Sequence, residues 1–142
     1  MLNVKLLRKV KKHILAEPKR FVMWALVQRK DETQLQFMSD GLGDAFVDFA
    51  PCGTAACIAG WTVLLEDGMK TKKKDSRIWS RAAKLLGLDD RWRKGEAPQT
   101  SKLFETGEWP KKLEARYNRA KTQKTRVKIA AERIDQFIKE YK

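Results

Sequence analysis

PCGTAACIAGW, residues 51–61, is the stretch whose reading decides the fold. Small and apolar side chains follow one another with no polar face between them, and a glycine and a tryptophan close the run. Thr54 is a good N-cap residue, and Asp67-Gly68 is a good stop, so the segment predicts a helix over about 55–66. Ala, Cys, Ile, Trp, Val and Leu occupy nearly every side of that helix, which makes it a buried central one. Glycine inside a helix costs about 1 kcal/mol, so Gly60 marks a close approach by a neighbouring element.

Outward from this centre, residues 2–16 carry Leu2, Leu6, Leu7, Val10, Ile14 and Leu15 at helical spacing, with His13 at the edge of the stripe. Lys5, Arg8, Lys9, Lys11 and Lys12 fill the remainder, and Pro18 stops the helix near Glu17. Residues 20–28 are apolar and branched enough for a short strand or a helical turn. A small β-hairpin over 22–49 stays open as an addition. On the C-terminal side a basic loop (70–75) leads to a helix over 76–86, with Ile78, Trp79, Ala82, Leu85 and Leu86 inward and Gly87 just past its end. Residues 89–101 are irregular, and Leu103 and Phe104 plug the core. Pro110 opens a helix to about residue 121. A last helix over 124–140 is traced by Val127, Ala130, Ala131, Ile134, Phe137, Ile138 and Tyr141, and the short link before it predicts antiparallel neighbours. The expected fold is mostly α: one domain over 1–142, a compact bundle of five or six helices around the buried central one.

The chain has 142 residues, enough for a core without disulfides or metal. No apolar run approaches the roughly 20 residues of a membrane span, and the N-terminal apolar residues are too dispersed for a signal peptide. A cytoplasmic protein with no membrane partner is expected, its two cysteines reduced. The net charge is +13, unevenly spread: residues 41–69 contain no Lys or Arg, and both flanking regions are basic. Such a chain attracts nucleic acid or another polyanion; lysine-rich helix faces that serve only solubility are the alternative.

Catalytic sets are sparse. Cys52, Cys57 and His13 fall short of the four ligands of a structural zinc, so no metal or other cofactor is expected. A thiol enzyme would use Cys52, placed just before a helix N-terminus that favours the thiolate, with His13 as the single available base. Cys57 lies a turn inside the apolar helix and reads as core. No phosphate-cradling glycine loop is present, and the acid pairs Asp44/Asp48 and Asp89/Asp90 read as surface.

RAAKLLGLDD (81–90) resembles the first helix and turn of a helix-turn-helix, but RWRKGEAPQ breaks the helix that should follow. Arg91, Trp92 and Arg93 interleave a ring with cations. That pattern fits backbone binding with base stacking, or a Trp pinned into the core between two surface arginines, and the second reading takes precedence. The candidate nucleic-acid contacts are Lys5, Arg8, Lys9, Lys12, Lys72, Lys73, Lys74, Arg91, Trp92 and Arg93.

CGTAACIAGW (52–61), AAKLLGL with the later LF and WP (82–88, 103–104, 109–110), and ARYNRAKTQKTRVKIAAERIDQFI (115–138) together resemble a family of small uncharacterised proteins of bacteria and their phages. The resemblance covers the last two-thirds of the chain; segment 89–101 is longer than the family pattern, and the N-terminal third matches loosely. It implies a prokaryotic or viral origin and one compact domain, and it assigns no catalytic or binding residue. The expected function is a non-enzymatic accessory protein that binds nucleic acid or a nucleic-acid-bearing complex. The alternatives are a protein-interaction module, such as a phage inhibitor of an acidic host protein, and a Cys52 thiol enzyme.

Overall fold

A computed structural model describes residues 1–23, 27–29, 54–69 and 75–142. Among these residues the protein is mostly α, with six α-helices and one short antiparallel pair of strands. In chain order the elements are α1 (Val4–Ala16), β1 (Val27–Arg29), β2 (Thr54–Ala56), α2 (Ile58–Asp67), α3 (Asp75–Leu86), α4 (Gln99–Phe104), α5 (Lys111–Arg119) and α6 (Gln123–Tyr141).

The central helix is α2, and every residue from Ile58 to Leu64 is buried. It packs on α3 and α1, while α1 and α5 both lie along α6. Its start differs from the sequence expectation. Thr54 does not cap it: the backbone of 54–56 pairs with 27–29, Arg29 opposite Thr54 and Val27 opposite Ala56, and the helix begins at Ile58 behind Cys57. Ala56 is also bridged on its other side by Phe21, whose neighbour Val22 donates its N–H to the Ala56 carbonyl at 3.1 Å. Three short backbone pieces therefore compete successfully with the first turn of helix, because each satisfies backbone groups that the buried site would otherwise strand. The pairing joins 27–29 to 54–56; the remainder of the expected 22–49 hairpin lies outside the described residues. The stop is as expected: Gly68 has a φ of +109° and donates its N–H to Leu64.

Helix α1 buries Leu6, Leu7, Val10 and Ile14, while Leu15 stays exposed on the edge of the stripe. Its N-terminus is tied to the far end of α3. The Asn3 side chain accepts from the Leu6 N–H at 3.0 Å as N-cap, and its backbone N–H and side-chain amide donate to the Leu86 and Leu85 carbonyls. One residue thus closes two helix ends whose polar groups have no partner in their own helix. Gly87 follows with a φ of +72°, and a Cβ there would collide with the Met1 carbonyl. Helices α1 and α6 run antiparallel. Gln123 donates to the Phe21 carbonyl at one end, and Lys11 pairs with Asp135 at 2.7 Å further along.

Candidate nucleic-acid interface

Lys5, Arg8, Lys9 and Lys12 follow one another at i, i+3, i+4 and i+7, so the helix lays them along a single stripe of α1 opposite its buried face. All four are exposed. Lys9 reaches across to the Leu65 carbonyl at 3.4 Å, at the end of α2. Lys5, Arg8 and Lys12 make no ion pair among the described residues. Lys11 sits outside the stripe and is the one α1 cation matched by a carboxylate there.

Several other cations are occupied. Arg81 forms a two-point pair with Asp67, Lys102 pairs with Glu96, Arg116 with Glu132, and Lys111 with Glu114. Three arginines are part of the core. Arg20 lies 5.0 Å from the Trp61 ring centre, Arg126 4.9 Å from Tyr117, and Arg133 5.4 Å from Phe137. Aromatic faces attract cations in this way, and planar guanidinium tolerates the loss of water better than ammonium. Burial lowers the Arg133 pKa, opposed by Glu140; arginine remains charged at neutral pH regardless. Formal charge therefore overstates what the surface offers a polyanion.

A second cationic group lies where α5 turns back into α6. Arg119, Lys121, Lys124 and Lys128 are exposed and unpaired among the described residues. The Arg116–Glu132 pair fixes the antiparallel register of the two helices and so brings Arg119 beside the first turns of α6. Lys124 and Lys128 share a face of α6 by a spacing visible in the sequence, while their neighbourhood with Lys121 and Arg119 depends on the turn before the helix.

Segment 89–96 overturns the buried reading of its tryptophan: Trp92 is 62% exposed. The cause is a tight turn. Arg93 and Glu96 exchange both backbone hydrogen bonds, at 2.8 and 3.3 Å, and the residues between them, Lys94 and Gly95, have φ of +50° and +77°. Both central residues at positive φ define a type I′ turn, which the glycine makes accessible. Asp89 holds the other side. It accepts from the Arg91 backbone N–H at 3.1 Å, from Arg91 Nε at 3.3 Å and from Arg93 at 3.0 Å. The Arg91 N–H bond, more than the two guanidinium groups, keeps the Asp89 carboxyl below its usual pKa. Twelve residues (87–98) separate α3 from the six-residue α4, so 81–104 lacks the short turn of a helix-turn-helix.

Of the sequence candidates, Lys5, Arg8, Lys9 and Lys12 come together, and Arg91, Trp92 and Arg93 form a separate turn. Cys52, Lys72, Lys73 and Lys74 lie outside the described residues. His13 packs its ring against Trp61 at 4.2 Å between centroids, with Nε2 buried and without a hydrogen-bond partner among the described residues. Its pKa is lowered by burial first and by Arg20 second, partly offset by Glu17. Cys57 is buried, in keeping with a core residue. Among the described residues no three His, Cys, Asp or Glu side chains gather as a metal site, and no helix is long and apolar enough to cross a membrane. Comparison with protein-family models, with curated proteins and with solved structures gives no match for this chain.

Proposed function

We propose that this protein binds nucleic acid by its phosphate backbone, as a non-enzymatic accessory protein of a bacterium or phage acting in the cytoplasm. The observation that carries this reading is the α1 stripe, with Lys5, Arg8, Lys9 and Lys12 on one exposed helix face and no carboxylate among them. Several cations elsewhere are matched with carboxylates or buried on aromatic rings; the α1 row and the Arg119–Lys128 group are presented outward. Adjacent phosphates repel one another and carry condensed counterions, so a rigid row of cations gains affinity by releasing those ions. Such contacts position a duplex or a strand without reading its sequence. The resemblance to small bacterial and phage proteins supplies the setting and no more.

The test is titration against labelled DNA and RNA at about 50 and 200 mM salt. Binding should weaken steeply between the two. Replacing Lys5, Arg8 and Lys12 by Ala should lower affinity for all sequences alike and reduce the salt slope by about 3. No binding at the lower salt would overturn the reading. An acidic protein retained from nuclease-treated lysate through the same three residues would then be the partner class.

A further inference from the structure

We infer that the 89–96 turn is a base-stacking post that makes single-stranded nucleic acid the preferred ligand; this rests on the nucleic-acid reading above. Trp92 presents a large apolar ring to solvent with 62% of its surface uncovered. That exposure is not a consequence of a loose loop: the Arg93–Glu96 backbone pair, two hydrogen bonds from Arg91 to Asp89 and the Arg93–Asp89 ion pair pin the residues on both sides. A ring carried on a fixed backbone loses less conformational freedom when a base stacks on it, so more of the stacking energy appears as affinity.

Charge points to stacking over phosphate capture. Within 89–96, Arg91, Arg93 and Lys94 are balanced by Asp89, Asp90 and Glu96, so the turn adds little to long-range attraction. It needs the α1 stripe to bring a polyanion near, and it is placed to use that stripe. Met1 and Leu2, which lead into α1, line the same groove of about 560 Å³ as Asp90 and Arg91. The residues leading into α1 and those leading into the turn thus border one groove. Stacked bases of an intact duplex keep their faces covered and offer Trp92 nothing comparable, whereas every base of a single strand has a free face.

The experiment compares wild type, Trp92→Ala, Trp92→Phe and the triple Lys5/Arg8/Lys12→Ala variant. The probes are oligo-dT, oligo-U, an abasic strand of equal length and a duplex, each at two salt concentrations. Trp92 is exposed, so its replacement leaves the core alone. Trp92→Ala should weaken oligo-dT and oligo-U binding about tenfold or more. It should leave the abasic strand, the duplex and the salt slope unchanged, and Trp92→Phe should restore much of the loss. Wild-type binding with no effect of Trp92→Ala on either single strand overturns the stacking post and leaves the phosphate reading standing. An equal loss on all four probes also overturns it, because it assigns Trp92 to general contact. No wild-type binding to any probe overturns both readings together.

Discussion

Trp61 and Arg20 hold one another twice. The indole N–H donates to the Arg20 carbonyl at 3.1 Å, and the Arg20 guanidinium lies 5.0 Å from the indole ring centre. Trp61 is fully buried, so Trp61→Phe would remove the donor, strand the carbonyl and leave a void. The expected loss is about 2 to 4 kcal/mol. Urea unfolding should show a lower midpoint with an unchanged m-value.

Trp61 also touches His13, and the burial of that imidazole makes stability depend on pH. Burial and Arg20 lower the His13 pKa in the folded state, and Glu17 only partly offsets them. The unfolded chain titrates near the ordinary imidazole value of about 6.5. Between the two values the unfolded state binds more protons. Stability is therefore full above about pH 6.5 and falls as pH drops through the lowered folded value. The loss from wild type should exceed that of His13→Gln in unfolding midpoints taken from pH 8 down to pH 5. Parallel curves for the two would remove His13 as the cause.

Arg133 is 2% exposed at its side chain, yet its Nε and one terminal nitrogen both donate to the Lys102 carbonyl, at 3.1 and 2.9 Å. The second terminal nitrogen reaches Glu140, which is half exposed and can return to water. The substantive loss in Arg133→Ala is thus the two-point bond to α4. It should cost about 2 to 4 kcal/mol. Arg133→Lys keeps charge but cannot form the fork, so it should recover only part. Thermal melts of the three proteins provide the check.

Gly87→Ala tests the junction of α1 with α3. The added Cβ meets the Met1 carbonyl, and the positive φ is unfavourable for alanine in its own right. The expected cost is about 1 to 3 kcal/mol, or several degrees in Tm for a chain of this length. Amide exchange should also rise at Leu6, whose N–H depends on the Asn3 cap.

The amphipathic helices were legible because hydrophobic spacing alone orders them: α1, α3 and α6 lie within two residues of their expected ends. The start of α2 was not. Ala55 and Ala56 suit helix or strand equally, and partners far along the chain decided between them, namely 27–29 and Phe21. Trp92 was misread for a related reason. Its size argues for burial, while its exposure follows from the Lys94-Gly95 turn beside it, a signal that composition does not weigh. The α1 cations could be placed by spacing, but which cations remained unpaired could not. That depends on meetings such as Arg81 with Asp67 and Arg116 with Glu132.

The antiparallel contact of α1 with α6 also governs the order of assembly. Lys11 and Asp135 are 124 residues apart, an unusually distant closure for a helical protein, and distant contacts form late. During synthesis α1 emerges first and waits for its neighbour, with Leu6, Leu7, Val10 and Ile14 uncovered. In that interval Lys5, Arg8, Lys9 and Lys12 act as gatekeepers, their mutual repulsion opposing self-association of the nascent helix. The stripe proposed to meet phosphate thus has an earlier task, protection of the growing chain.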